Sequence, residues 1–280
     1  MEKYSVLQTV YKNDNPEAFR ISLESMLNQT VAPDEIVLVK DGKITQQLQC
    51  VVDELSEKAP GCIVQVQLEK NVGLGLALNE GLNRCKNELV ARMDSDDVSL
   101  PNRCELQLLM FERDSELDIV GSPVKEFIDD PKNIVGERRV PLDNESIHKY
   151  ARRRDPFNHP TVMYKKSKVL LYGPYGDYRK NQDTALWIDM LSNGCKAANC
   201  KEFLLLFRFD ENTYKKRKSW LNTKLLIQIR KDAYKRGFCS LGDFFVVAIA
   251  QLGIYFMPIS FQRMIYTKVL RSKQENGTKN

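Results

Sequence analysis

The chain has 280 residues, 42% hydrophobic and 28% charged, with 14 Gly and 11 Pro, which excludes a disordered, collagen-like or low-complexity chain and suffices for one sizeable core. The net charge of +5 is uneven: residues 211–280 hold 14 Lys and Arg against 4 Asp and Glu, and residues 1–210 hold 28 against 33. An acidic body argues against a nucleic-acid partner, and a basic, partly apolar tail suggests an anionic membrane surface, a polyanionic ligand or a solvated helical hairpin packed on the body.

The N-terminus, MEKYSVLQTV, has no basic stretch leading into an apolar run, so no signal peptide is expected. Residues 4–10 read as a short apolar strand. The stretch Asn13 to Pro16 can cap the next segment, where Phe19, Leu23, Met26 and Leu27 recur at helical spacing. Residues 35–39 (EIVLV) form a continuous apolar run, expected as a buried parallel strand, and Asp41-Gly42 ends it as a turn. Helical spacing follows at 48–55, alternation at 63–68, helical spacing at 73–85 and a further short strand at 89–93. This β-α-β-α-β-α-β order predicts an α/β fold: a mostly parallel sheet with helices on both faces. Ligands of such sheets bind beyond the carboxyl ends of the strands. The residues to inspect are therefore 9–13, Asp41-Gly42, 71–74 and 94–97.

Asp94-Ser95-Asp96-Asp97 is the sharpest of these segments. Carboxylates packed this closely raise one another's pKa, and a hard divalent cation, Mg²⁺ or Mn²⁺, relieves the repulsion through oxygen ligands and substrate phosphates. The same residues also fit an acidic helix start, with Asp97 or Ser99 capping a helix that begins near Pro101. No P-loop occurs, and Gly73-Leu74-Gly75 lacks the third glycine of a dinucleotide fingerprint, so it reads as a tight turn that opens a helix and can approach a ligand. The seven Cys include no Cys-x-x-Cys pair, and the nearest two, Cys195 and Cys200, have no His at zinc-ligand spacing. The thiols are read as reduced, as on a cytosolic face.

In order along residues 4–220, these motifs resemble those of bacterial family 2 glycosyltransferases with the GT-A fold, especially capsule and O-antigen members. Asp41-Gly42 is similar to a nucleotide contact after the second strand, and Asn71-Val72-Gly73-Leu74 to an Asn-x-Gly turn. Ala91-Arg92-Met93-Asp94-Ser95-Asp96-Asp97 resembles the metal motif, and Pro101-Asn102-Arg103 its Pro-x-Arg sequel. Asn158-His159-Pro160-Thr161-Val162, Gln182-Asp183-Thr184-Ala185-Leu186-Trp187, Asn199 with Phe207-Arg208, and the YKKRKSW run at 214–220 resemble the later motifs.

The resemblance implies a UDP-sugar donor and an inverting, metal-dependent transfer of a hexose, galactose or glucose. The implied acceptor is a polyprenyl-diphosphate-linked N-acetylhexosamine at the cytoplasmic face of the inner membrane, and the linkage implied within the resembling group is β-1,3. It implies that Asp96 coordinates Mn²⁺ or Mg²⁺, that Asp97 supports the metal or the sugar, and that Asp94 contacts the nucleoside. Asp41 would hydrogen-bond the uracil, and Thr9, Val10 and Tyr11 would line the base pocket. Asn71, Gly73 and Ser95 fall among the donor contacts. Arg217, within the basic run 215–218, would reach a diphosphate, unless that run is only a solvated surface.

The resemblance also makes Asp183 the general base. An inverting displacement needs one carboxylate on the acceptor side, because a metal stabilises the leaving diphosphate. Asp183 lies at a helix start, where the dipole favours its ionised form; a plain N-cap is the other reading. Gln182 departs from the usual Glu and removes a charge. Trp187 is a further candidate. His159 reads either as a phosphate or acceptor contact or as a ring packed on Pro160. His148 falls on an exposed helical face.

The apolar stretch 244–261 is interrupted by Gln251, Gly253, Pro258 and Ser260 and is not expected to span a membrane. With basic flanks it fits a helical pair lying at an interface, or equally a core helix. The expected organisation is a catalytic domain over 1–212 and a basic, apolar helical C-terminal extension over 213–280 that suits membrane association. Two rival readings are a sugar nucleotidyltransferase, which calls for a glycine-rich loop after the first strand where Thr9 to Asn13 has no glycine, and an inactive membrane-surface module.

Overall fold

The computed structural model describes residues 2–209 and 219–258. Strands β1 (Tyr4–Val10), β2 (Glu35–Lys40), β3 (Ile63–Gln67) and β4 (Leu89–Met93) alternate with helices α1 (Pro16–Leu27), α2 (Gln46–Lys58) and α3 (Leu74–Arg84). This matches the expected alternation. Asn15 caps α1 by accepting the Ala18 N–H at 2.9 Å, and Thr45 caps α2.

Burial extends along nearly all of β1 and all of β2, and apolar residues run without a break from Ile36 to Val39, because both sheet faces are covered. Val6, Val10, Ile36 and Leu38 pack with Phe19, Leu23 and Met26 of α1 and Leu48 and Val52 of α2. Their neighbours Leu7, Val37 and Val39 point to the other face, against Ala77, Leu78 and Leu82 of α3. The two-residue strand period thus feeds two cores from one run.

Beyond residue 97 come β5 (Val98–Ser99), α4 (Arg103–Arg113), β6 (Leu117–Gly121), β7 (Val124–Phe127), β8 (Ile134–Arg138) and α5 (Asn144–Ala151). A 3-10 turn (His159–Thr161), β9 (Met163–Lys165), α6 (Lys166–Tyr172), α7 (Gln182–Ser192), β10 (Lys196–Asn199) and β11 (Leu205–Arg208) follow. The described residues end with α8 (Trp220–Lys235) and α9 (Leu241–Phe256). The main sheet has seven strands in the order β10-β6-β9-β4-β1-β2-β3, and only β9 runs antiparallel to its neighbours. A four-stranded sheet, β5-β11-β7-β8, stands beside it.

The reading of Asp97 or Ser99 as a helix cap is corrected here. Helix α4 begins at Arg103, after Asn102, and Asp97 turns instead toward β11. Buried Arg103 donates to the Arg92 carbonyl at 2.7 Å and so ties α4 to the end of β4.

Ile229 and Ala233 of α8 pack on Ala185 and Ile188 of α7, so the last two helices lean on the body through α7. Helix α9 starts with a capping box between Ser240 and Asp243. No helix among the described residues is long and apolar enough to cross a membrane.

Candidate active site

From β1 the chain steps outward to β2 and β3, then returns to place β4 on the other side of β1. The strand order therefore reverses between β1 and β4, which opens a crevice at their carboxyl ends. Asp94, Asp96 and Asp97 leave β4 at that point, with one carboxylate oxygen of each within 4.8 Å of those of the other two. Gln8 of β1 and Ser22 of α1 hold the Asp94 carbonyl at 3.1 and 2.5 Å.

Each acid has a different setting. Asp94 is paired with Arg92, which is only 1% exposed. Asp97 is equally buried; its Oδ1 accepts the Arg208 N–H at 2.7 Å, and its Oδ2 has no partner among the described residues. Burial first, then the charges of Asp96 and Asp94, push the Asp97 carboxyl well up. Asp96 stands on the open side, yet lost hydration and the Asp94 charge lift it to about 6. Crowded hard oxygens, one of them a buried acceptor without a donor, suit a small divalent cation such as Mg²⁺ or Mn²⁺.

Three contributors had no role assigned to them in the sequence reading. Asp14 follows β1 and accepts the Tyr11 N–H at 3.0 Å. Burial lifts it to about 6 against hydrogen bonds from Tyr11 and Ser95, and the Asp96 and Asp94 charges add to the rise. Its signal was a carboxylate in the loop after the first strand, which was read only as a cap; Asn15 is that cap. Arg92 is the buried cation behind Asp94. Arg208 donates from Nε to the Asp96 carbonyl at 2.9 Å and from Nη1 to the Asp129 carbonyl at 3.0 Å.

At the end of β2, Asp41 is 6% exposed and accepts from Asn71 Nδ2 at 2.8 Å, Val72 N at 2.7 Å and Gly73 N at 3.1 Å. It therefore organises the 71–73 turn, and much of its acceptor capacity is spent there. Gly42 has φ +82°, and a Cβ on it would lie 2.7 Å from the Asn71 N, so the two turns touch through a residue that must be glycine. Val10 is buried in the core and contributes its carbonyl to the Asp41 N–H, whereas Thr9 is partly and Tyr11 largely open.

Asp183 stands in the first turn of α7. The cap position belongs to Asn181, which has φ 60° and no side-chain cap bond, so Asp183 is not a plain N-cap. Burial and then the Asp155 charge lift its carboxyl to about 6, while Arg92 opposes the rise. Gln182 is buried beside Gly75.

Trp187 and His159 face the core. Trp187 is 1% exposed and packs edge-on against Phe157 at 5.2 Å and His159 at 5.8 Å, and its Nε1 has no hydrogen-bond partner among the described residues. His159 bonds the Tyr175 hydroxyl at 2.9 Å, and burial, then the Arg92 charge, push its pKa well down. Arg217 lies outside the described residues.

Residues 5–171 match the profile of glycosyl transferase family 2. The chain is 38% identical over 271 residues to an Escherichia coli UDP-Gal:alpha-D-GlcNAc-diphosphoundecaprenol beta-1,3-galactosyltransferase, covering 96% of this chain and 97% of that one. It is 35% identical to the Erwinia amylovora amylovoran biosynthesis glycosyltransferase AmsE, covering 99% of each. In fold it is similar to S. aureus TarS 1-349 in complex with UDP-GlcNAc, with a TM-score of 0.66 at 17% identity over 95% of this chain and 76% of that one. The mannosyltransferase PcManGT of Pyrobaculum calidifontis gives 0.64 at 15% identity, over 91% and 70%. An acidic trio at the strand-order reversal of a GT-A sheet and a family profile across most of the chain lead to one assignment: the chain is a glycosyltransferase of family 2.

Proposed function

We propose that this glycosyltransferase moves galactose from UDP-galactose, with inversion, onto the GlcNAc of a polyprenyl-diphosphate-linked acceptor through a β-1,3 bond. The observation that carries the reading is the acidic trio at the strand-order reversal, together with Asp183, a half-buried carboxylate in the first turn of α7. That arrangement supplies one metal site and one base, as a displacement at an anomeric carbon requires, rather than the carboxylate pair of a hydrolase. The donor and acceptor are those in the name of the E. coli relative, which is similar along almost all of this chain.

Asp96, with Asp94 and Asp97, would hold Mn²⁺ or Mg²⁺, which when bound offsets the charge of the leaving diphosphate. Arg92 holds the Asp94 carboxylate and Arg208 the backbone at Asp96 and Asp97. Asp41 holds the Asn71–Gly73 turn on the nucleoside side. Asp183 accepts the proton of the acceptor hydroxyl as its oxygen bonds to the anomeric carbon and the bond from that carbon to UDP breaks.

Residues 213–280 are read as an extension that docks the enzyme on the cytoplasmic face of the membrane. Phe245, Ile249, Leu252 and Phe256 recur along one face of α9 and are exposed, as is Trp220 of α8. An apolar stripe in the part of the chain that carries the basic excess suits an anionic lipid surface.

The test is a panel of UDP-, GDP-, dTDP- and CMP-sugars with Mn²⁺ or EDTA and a synthetic GlcNAc-diphospholipid acceptor. Metal-dependent transfer from UDP-galactose alone is expected. Metal-dependent transfer from a different sugar nucleotide overturns the donor assignment, and no binding of any of them overturns the reading.

A further inference from the structure

The loop that joins α5 to the 3-10 turn, residues 152–158, crosses the start of α7. Phe157 in this loop packs its ring 5.2 Å from Trp187, one helical turn beyond Asp183. Asp155, two residues earlier, is exposed and close enough for its charge to act on Asp183. Gln182, beside Asp183 in sequence, is uncharged and packed against Gly75. Phe157 packed on Trp187, and Arg230, whose neighbour Ile229 packs on Ala185, bring Asp155 to the start of α7 that carries Asp183, although 28 positions separate the two acids in the chain.

Both last helices clamp this loop. Arg230 of α8 is 2% exposed, donates from Nη1 to the Ala151 carbonyl at the end of α5, and directs Nη2 to Asp155 at 3.8 Å. Arg153 donates to Asp243 of α9 at 2.5 Å, the same Asp243 that completes the α9 capping box. Burying a guanidinium is costly without partners, so Arg230 fixes the loop backbone and the Asp155 carboxylate together.

We propose, building on the transferase reading above, that Asp155 is a second acceptor-side carboxylate, which orients the hydroxyl that Asp183 deprotonates, and that Arg230 of the C-terminal helices positions it. An exposed carboxylate at the helix start that carries a half-buried one would offer a sugar two acceptors, one of which would hold the hydroxyl for the other. The other titratable and charged groups around Asp183 are Arg92 from β4, Tyr175 and Lys180 from the loop before α7, and His159 behind Trp187. Arg92, among these, and Asp155 act on Asp183 with opposite sign. The chemistry of the last two helices then reaches the reaction through one ion pair and not only through docking.

Steady-state transfer by the full chain, with UDP-galactose, Mn²⁺ and the GlcNAc-diphospholipid, tests this on D155N, D155E and R230Q. For D155N the acceptor KM is expected to rise about tenfold while the UDP affinity, read by calorimetry with Mn²⁺, stays at the wild-type value. Removing the negative neighbour also favours ionised Asp183, so the acid limb of kcat/KM should move down by about half a pH unit. D155E should restore the limb, and R230Q should raise the acceptor KM without moving the UDP affinity. A D155N enzyme with wild-type acceptor KM and pH profile overturns the inference alone. A wild-type enzyme that transfers nothing to this acceptor overturns the transferase reading and the inference together. Equal losses of UDP affinity and acceptor affinity in D155N would mark a structural role and also overturn it.

Discussion

The trio half of the site and the Asp183 half are built on different principles. Asp14, Asp41 and the trio stand at the ends of β1, β2 and β4, neighbouring parallel strands whose spacing the sheet fixes. Asp183, Asp155 and Arg230 come from a helix start, a loop and a helix of the C-terminal region, held together by ring packing and ion pairs. A strand-end site inherits its geometry from backbone hydrogen bonds, whereas the other half depends on side chains far apart in sequence. The first half should therefore tolerate surface change, and the second should respond to changes in the last two helices.

The largest effect expected from breaking one half alone is that of Asp183→Asn. Loss of the proposed base should lower transfer by about 10²–10⁴-fold, measured as UDP release with acceptor present. Because Asp183 must be ionised and its carboxyl sits at about 6, wild-type kcat/KM should fall as pH drops through that value, and a flat profile from pH 5 to 8 would remove Asp183 as the base.

Next comes Arg92→Met, which leaves Asp94 facing a buried apolar group. Breaking that pair should cost about 3 kcal/mol, seen as a drop of roughly 6–12 °C in melting temperature. Gly42→Ala should cost about 1–2 kcal/mol, because φ +82° and the approach to Asn71 both oppose a Cβ. An accompanying loss of UDP affinity would tie the 41–42 and 71–73 turns to the donor. The smallest effect on stability, within about 0.5 kcal/mol, is expected of Ile249→Ser on the exposed face of α9. Sedimentation with anionic phospholipid vesicles should nevertheless weaken, and unchanged sedimentation would remove α9 from the membrane reading.

The same contrast explains what the sequence could say. Residues 35–39 read as a buried strand because both faces of β2 are covered, and the trio was visible because its acids adjoin a strand end. The second sheet was not foreseen. Its strands Val98–Ser99 and Leu205–Arg208 are too short for a periodic signal, and their pairing joins segments about 100 positions apart. Arg208 was noticed as part of a motif, but its grip on Asp97 depends on that pairing. Trp187 carried the signal of a motif residue, and the fold adds its ring packing on Phe157, which the sequence did not show. Asp155 gave no signal, because only the fold brings it to Asp183.

The most direct test of the division into two halves is calorimetric titration of UDP-galactose with and without Mn²⁺ into Asp96→Ala and Asp183→Asn, alongside their transfer rates. The predicted result is that Asp96→Ala loses metal-dependent donor binding, while Asp183→Asn binds the donor as tightly as the wild type and fails to transfer. Undiminished metal-dependent binding by Asp96→Ala, or wild-type transfer by Asp183→Asn, would contradict the account.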